Sequence, residues 1–121
     1  MPKKLLFVDD SASMRQVVGM AIKAAGYDVT TAVDGVDGLN KLKAQRFDAI
    51  ITDLNMPNMN GIELIKAAKL EPNNRFAPIV MLTTESSDEF KQQGRAAGAK
   101  AWVVKPFKPD QLLGVIKKLV G

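Results

Sequence analysis

Short apolar runs alternate with helix-length amphipathic stretches along this chain, and the alternation occurs five times. Several of the runs are apolar on both sides of the pleat, as expected of strands that are covered on both faces. Five strand–helix repeats within 121 residues predict an α/β fold, a five-stranded parallel sheet with five helices on both faces. The predicted strands are Lys4–Val8, Val29–Ala32, Ala49–Thr52, Ile79–Thr83 and Ala101–Val104.

Helix start and stop signals lie between the predicted strands. Ser13 and Gln16 have the spacing of a capping box, and Gly26 follows the same stretch as a stop signal. The other predicted start signals are Asp34 for the second helix, Asn60 with Glu63 for the third, and Pro109 for the last.

The fourth helical stretch, Ser87–Ala97, has a thin apolar stripe in which Phe90 and Ala97 are the clearest core candidates. Gly94 weakens its interior by about 1 kcal/mol relative to alanine. Two interpretations remain open: a surface helix beside a small core, or an element that moves or docks a partner, since switching elements share low local stability.

Composition narrows the chemistry available to the chain. Its 46% hydrophobic content predicts one globular domain, residues 1–121. Because the sequence has no cysteine and no histidine, it excludes disulfides, zinc sites built on thiolate or imidazole, and a serine–histidine triad. The side chains that remain as candidates for catalysis or metal binding are carboxylates, lysines and hydroxyls. With no apolar run of membrane-spanning length, we expect a cytoplasmic protein without membrane contact.

The net charge of +4 raises the question of nucleic-acid binding. The 17 basic residues are scattered, however, and the densest clusters, Lys3-Lys4 and Lys117-Lys118, hold two each. A scattered distribution is typical of a solvated surface, so we expect no direct nucleic-acid contact.

Carboxylates follow two of the predicted strands. Asp9 and Asp10 come after the first, and Asp53 comes after the third. If these strands are neighbours, two carboxylates about 5 Å apart repel each other by roughly 3 kcal/mol at an effective dielectric near 20. Such a cluster must take up a proton, recruit a lysine or bind a cation. Thr83 and Lys105 also stand at carboxyl ends of strands, where parallel sheets bind ligands.

Four motifs stand at the ends of strands 1, 3, 4 and 5. They are Val8-Asp9-Asp10-Ser11, Asp53-Leu-Asn-Met-Pro57 with Asn60-Gly61, Met81-Leu-Thr-Thr-Glu85, and Lys105-Pro106-Phe107. With these motifs the whole chain resembles the receiver domains of two-component response regulators, most closely the single-domain chemotaxis type (CheY-like). The resemblance implies a flavodoxin-like fold with strand order 2-1-3-4-5.

The resemblance also implies a chemical role for the acidic cluster. Asp53 would accept a phosphoryl group from a phosphohistidine on a sensor histidine kinase, a partner molecule, since this chain has no histidine. Mg²⁺ would be the cofactor. Its ligands would be Asp10, Asp53 and the backbone carbonyl of Asn55, and Asp9 would act through water.

The remaining motif residues would assist this reaction. Lys105 would pair with a phosphoryl oxygen, and the Thr83 hydroxyl would sense the phosphoryl group. Asn55 and Glu85 would tune the lifetime of the phosphoaspartate by controlling access of water. The resemblance therefore implies a regulator that assists its own phosphorylation and dephosphorylation, and a cis bond between Lys105 and Pro106.

Trp102 departs from the family, which usually has Tyr or Phe at this switch position. Because indole is larger and donates only through its N–H, two alternatives stay open: a ring that turns inward on phosphorylation, or an aromatic used for core packing or permanent docking. The switch and partner surface would comprise Thr83, Trp102, Lys91, Lys100 and Lys108.

The resemblance also implies partners for this surface. The expected target is the flagellar motor switch, and a phosphatase is a further expected partner. We expect the protein to be a monomer.

Three other functions compete with a chemotaxis switch. Within the family, the chain could serve a phosphorelay or type-IV-pilus motility. Among enzymes, an aspartate-nucleophile phosphohydrolase of the haloacid-dehalogenase kind requires Asp-x-Asp after its first strand. Here Asp9 and Asp10 are adjacent, and Asp53 is followed two residues later by Asn55, which disfavours the hydrolase.

Overall fold

The apolar runs form one parallel sheet in the computed structural model, which describes residues 2–84 and 88–120. Its strands are β1 (Lys4–Val8), β2 (Asp28–Ala32), β3 (Ala49–Asp53), β4 (Ile79–Thr83) and β5 (Ala101–Val104). Its helices are α1 (Ala12–Ala24), α2 (Gly35–Ala44), α3 (Gly61–Leu70), α4 (Asp88–Ala97) and α5 (Pro109–Val120). The strand order β2-β1-β3-β4-β5 confirms the order that the resemblance implies. Within the described ranges, no helix is long and apolar enough to cross a bilayer.

The alternation of side chains along β1 separates two hydrophobic cores. Leu5 and Phe7 face α1 and α5, where they pack with residues such as Ile22. Leu6 and Val8 face the opposite side, which α2, α3 and α4 cover. Every residue of β3 and β4 is buried, as expected of central strands that are covered on both faces.

Helix capping agrees with the sequence at most positions but not at α1. The predicted capping box at Ser13 is wrong: Ser11 is the N-cap and accepts a hydrogen bond from the Met14 amide at 3.3 Å. Ser13 lies inside the first turn, where its hydroxyl is 3.1 Å from that of Ser11. The chain turns into the helix two residues earlier because Asp9 already organises this turn by accepting from the Ser11 amide. The confirmed signals are Gly26, Asp34, Asn60 with Glu63, and Pro109.

Helix α4 has the thin apolar face that its sequence predicts. Phe90 and Ala97 are partly buried and pack against the core on the α2–α3–α4 side of the sheet. Gly94, between them, is buried. The predicted start at Ser87 lies outside the described residues.

Candidate functional site

The adjacency of β1 and β3 brings the acidic residues together. Val8 at the end of β1 is paired with Thr52 in β3, so the residues that follow each strand emerge side by side. Carboxylate oxygens of Asp9, Asp10 and Asp53 lie within 4.8 Å of one another. The predicted convergence of three carboxylates is therefore confirmed. Parallel pairing is the physical cause, since it places both carboxyl ends at one edge of the sheet.

Asp9 is the most enclosed of the three carboxylates, at 0% exposure. Its Oδ1 accepts a hydrogen bond from the Ser11 amide at 2.9 Å, and its Oδ2 lies 3.4 Å from Lys105 Nζ. Its backbone carbonyl accepts from Arg15 Nη1 at 2.8 Å. Sequence reasoning missed Arg15, which lies one helical turn beyond the Ser11 N-cap and helps hold the acidic turn in place.

Asp53 ends β3 and is 8% exposed. Its Oδ1 accepts from the Leu54 amide at 2.9 Å and lies 3.3 Å from Lys105 Nζ. Burial raises the pKa of this carboxyl; the ammonium group of Lys105 opposes the rise in pKa, and the negative charge of Asp9 adds to it. The side chain thus combines a carboxylate in a dry environment with a cation at contact distance.

Lys105 is the cation that the cluster requires. It follows β5, and its amide donates to the Thr83 carbonyl at 2.8 Å, which extends the β4–β5 ladder by one residue. Its side chain, 19% exposed, points between Asp9 and Asp53. The peptide bond to Pro106 is cis, as the resemblance implies. Among the described residues, one ammonium group and three carboxylates give this cluster a formal charge of −2, which favours a further cation.

The loop between β3 and α3 carries Asn55, which is exposed. The loop is fastened at its far end by Asn58, whose φ is 69° and whose side-chain amide donates to Asp34 Oδ2 at 2.9 Å. Sequence reasoning missed this contact; its signal is an asparagine in a proline-containing turn, a residue type that tolerates positive φ. The contact joins the loop that carries Asn55 to Asp34, the N-cap of α2.

Gly61 brings α3 against the end of β3. Its amide donates to the Leu54 carbonyl at 2.8 Å. A Cβ at this position would overlap the carbonyl oxygen of Asp53 and lie 3.0 Å from the Leu54 Cα. The glycine of the Asn60-Gly61 motif is therefore required by close backbone approach beneath the acidic cluster.

Thr83 lies at the same edge of the sheet as Asp53. Leu82 is the β4 partner of Asp53, so Thr83 stands one position nearer the carboxyl end, and it is fully buried. Glu85, predicted to tune the phosphoaspartate lifetime, lies outside the described residues.

The predicted partner surface is brought together only in part: the inclusion of Thr83 in it is wrong, because the last residue of β4 is fully buried. Trp102, Lys91 and Lys100 line one small cleft between α4 and β5, and Lys108 is not among its lining residues. Lys108 lies beyond the other end of β5, where its carbonyl accepts from the amides of Gln111 and Leu112 at the start of α5. The cleft also contains Arg95, which sequence reasoning missed.

Comparisons with known proteins agree with this geometry. The response regulator receiver domain family matches residues 5–117. The chemotaxis protein CheY1 of Helicobacter pylori strain J99 is 40% identical over an alignment of 122 positions that covers 98% of this chain and 97% of that protein.

Two solved structures have the same fold. The structure of the chemotaxis protein CheY4 of Vibrio cholerae superposes with a TM-score of 0.95 at 49% identity, covering 98% of this chain and 99% of that one. The receiver domain of a sensor histidine kinase from Pseudomonas aeruginosa, with a magnesium ion in its active site cleft, has a TM-score of 0.91 at 26% identity and covers 100% and 99% of the two chains. The chain therefore belongs to the response regulator receiver domain family, as a CheY-like member.

Proposed function

We propose that the protein is a phosphorylation-activated signalling switch whose Asp53 accepts a phosphoryl group from a histidine kinase. The observation that carries the proposal is the position of Asp53, buried beside two carboxylates and 3.3 Å from Lys105 Nζ. In this reaction a carboxylate oxygen of Asp53 forms a bond to phosphorus, and the bond from phosphorus to the histidine nitrogen of the kinase breaks. The departing imidazole keeps the electron pair and takes up a proton.

Lys105 supplies the fixed positive charge for this transfer. In the resting site its ammonium group pairs with both Asp9 and Asp53. After transfer, the same group pairs with a phosphoryl oxygen, because the phosphoryl group brings new negative charge to the end of Asp53. A preorganised cation of this kind stabilises charge in the transition state without rearrangement of solvent.

The oxygen-rich cluster fits Mg²⁺. Hard carboxylate and carbonyl oxygens are the ligands that this ion prefers, and the formal charge of the site is negative. Asp10, Asp53 and the Asn55 carbonyl would hold the ion, with Asp9 acting through water. The bound ion would neutralise charge on the phosphoryl group. A magnesium ion in the active site cleft of the Pseudomonas aeruginosa receiver domain supports this assignment.

The phosphorylated state ends by hydrolysis, which the protein assists. Asn55, which is exposed, would control the approach of water together with Glu85. A phosphatase would accelerate the same step. The protein would thus be a stoichiometric regulator that returns to its starting state. We propose a monomer as the active species.

The proposed output is binding of the flagellar motor switch through the surface of Trp102, Lys91, Lys100 and Lys108, with the fully buried Thr83 as the sensor and not as a contact residue. The similarity to chemotaxis proteins of Helicobacter pylori and Vibrio cholerae supports chemotaxis as the pathway. Binding of a motor-switch peptide only after phosphorylation would distinguish this target from that of a phosphorelay or pilus receiver.

The test is phosphorylation by acetyl phosphate and Mg²⁺, followed by intact mass measurement. The wild type should gain the mass of one phosphoryl group, and Asp53→Asn should gain none. Asp28→Asn, at an exposed position, is the matched control and should load like the wild type. Loading of Asp53→Asn to the wild-type level would refute the assignment, and sustained turnover of an external phosphomonoester would favour the phosphohydrolase instead.

A further inference from the structure

Trp102 lies directly over a glycine of the neighbouring helix. Gly94 is in the middle of α4 and is buried. A Cβ placed on it would be 2.5 Å from Cζ3 and 3.1 Å from Cε3 of the Trp102 indole. The six-membered ring of the indole therefore occupies the space that any side chain at position 94 would need.

The indole ring of Trp102 cannot easily move out of the way of a side chain at position 94. A separation under 3.0 Å is not tolerated between carbon atoms, and the atom in the way belongs to a rigid ring, so relief requires the ring to rotate or α4 to withdraw. The helix itself would favour alanine at this position, since glycine is a poor helix former. The contact with Trp102 is thus the structural reason for a helix-weakening residue in an element that already has few core contacts.

We propose that Gly94 is a positioning residue for the switch: it forms a notch in α4 that holds the indole of Trp102, so that α4 and β5 move as one unit. This inference rests on the proposed function for its consequence in signalling, but the notch itself is independent of phosphorylation. Lys91 and Arg95 of α4 line the same cleft as Trp102. The notch therefore also sets how far the indole projects among these cationic side chains.

The notch explains how a ring larger than Tyr or Phe is accommodated at position 102. Trp102 pairs with Met81 of β4, two residues before Thr83, so β5 is in direct contact with the strand that leads to the phosphorylation site. A displacement of α4 on phosphorylation would carry the indole with it. The switch in this protein is then a shift of α4 and Trp102 together, with the ring kept in the notch.

The first experiment compares Gly94→Ala with Gly114→Ala. Gly114 lies in α5, is exposed and has no atom within 4 Å of an added Cβ, which makes it a matched control. Gly114→Ala should raise the urea midpoint by about 0.5 M through helix propensity alone and leave Trp102 fluorescence unchanged. Gly94→Ala should lower the midpoint and shift the emission of this single tryptophan. If Gly94→Ala behaves like Gly114→Ala, the notch is refuted.

A double-mutant cycle assigns the effect to the indole. In a Trp102→Ala background the obstructing ring is absent, so Gly94→Ala should raise the urea midpoint, as Gly114→Ala does; circular dichroism reports unfolding in these variants. Such a reversal of sign measures direct coupling between the two positions. If Gly94→Ala lowers the stability equally in both backgrounds, an added side chain at position 94 clashes with a residue other than Trp102, and the proposal is overturned.

The last measurement addresses signalling. The Trp102 emission of the wild type and Gly94→Ala is followed as each is loaded with beryllium fluoride and Mg²⁺, and compared at equal occupancy determined by ¹⁹F NMR. Gly94→Ala should start from a shifted spectrum and lose at least half of the wild-type response. An undiminished response would refute the positioning role. If the wild type fails to load, the proposed function fails, while the stability cycle still decides whether the notch exists.

Discussion

At Asp53, burial and the negative charge of Asp9 act against the single ammonium group of Lys105, and the pKa of the Asp53 carboxyl is raised. The folded-state pKa therefore lies above the unfolded-state value. Ionised Asp53 costs folding stability at neutral pH, and this cost disappears as the pH falls through the folded-state pKa toward the unfolded-state value. The residue that we propose as the phosphoryl acceptor therefore lowers the stability of the fold at neutral pH, as is common for functional groups.

Asp53→Asn should therefore be more stable than the wild type at pH 7 in the absence of divalent cations. The expected gain in unfolding free energy is on the order of 1 kcal/mol, a usual size for one stabilising substitution. The gain should shrink as the pH is lowered toward the ordinary aspartate value of 3.8. Urea unfolding with EDTA at several pH values measures it.

Asp28→Asn controls for the removal of a carboxylate at an exposed position. A stability gain of Asp53→Asn that does not depend on pH, or a loss at pH 7, would contradict the raised pKa.

Single residues also mark where sequence reasoning reached its limit. Asp9, Asp10, Asp53 and Lys105 were identified from their positions at strand ends, which the apolar runs define. Sequence reasoning did not identify three other residues, because their roles depend on the backbone path between elements. They are the N-cap Ser11, Asn58, which binds Asp34, and Arg15, which binds the Asp9 carbonyl. Local spacing predicted Ser13 as the N-cap of α1. Ser11 is the N-cap instead, because Asp9 accepts a hydrogen bond from its amide and so fixes the turn at this position.

At the scale of elements, one buried amide joins two connections. Asn74, 2% exposed, lies in the α3–β4 connection. Its Oδ1 accepts from the Phe47 amide at 2.7 Å, and its Nδ2 donates to the carbonyls of Leu42 and Gln45 at 2.8 and 2.9 Å. It thereby provides hydrogen-bond partners for two backbone carbonyls at the C-terminus of α2 and for one amide just before β3, the strand that carries Asp53.

Asn74→Ala should lower the free energy of unfolding by about 3 kcal/mol, because it leaves buried backbone groups without partners. The neighbouring Asn73 is exposed, so Asn73→Ala should change stability by no more than about 0.5 kcal/mol. Urea unfolding followed by circular dichroism compares the two variants. Equal stabilities would show that water replaces the amide and that the connection does not depend on Asn74.

Helices α4 and α5 each contain an interior glycine, but the surroundings of the two glycines differ. Gly114 faces open space, whereas Gly94 faces the indole of Trp102. The sequence predicts the same loss of helix propensity for both. The difference between them arises from β5, whose Trp102 packs against α4 in the folded chain.

Over the whole molecule, the charge distribution is uneven. The chain carries a net charge of +4, yet in the part of the chain that the structure describes, the edge of the sheet where β1 and β3 end holds three carboxylates and one ammonium group. The parallel order of the strands causes this concentration, since it directs every strand end that carries a functional residue to one side. A cation bound there is bound to the native state only, so it must stabilise the fold.

Mg²⁺ should therefore raise the unfolding free energy of the wild type, by about 2.7 kcal/mol at a hundred times its dissociation constant. Asp10→Ala should largely lose this increment, because it removes a predicted direct ligand. Asn55→Ala should retain it, because the backbone carbonyl remains. The measurement is the urea midpoint as a function of Mg²⁺ concentration, with sodium chloride of equal ionic strength as the control for screening.

An increment that is the same in Asp10→Ala and the wild type would place the ion elsewhere. Loss of the increment in Asn55→Ala would mean that its side chain, and not its carbonyl, takes part.

The sequence by itself determined the five strands to within one residue, the strand-end positions of the acidic and lysine residues, and the family. It could do so because burial imposes a local period on apolar side chains and because the motifs are contiguous. The tertiary structure alone decided that Lys105 contacts Asp9 and Asp53, that Asn74 closes the end of α2, and that Trp102 fills the notch at Gly94. The contacts of Lys105 and Asn74 join residues distant in the chain, and the contact of Trp102 with Gly94 joins two neighbouring elements. All three depend on strand order and side-chain packing, which no local period encodes.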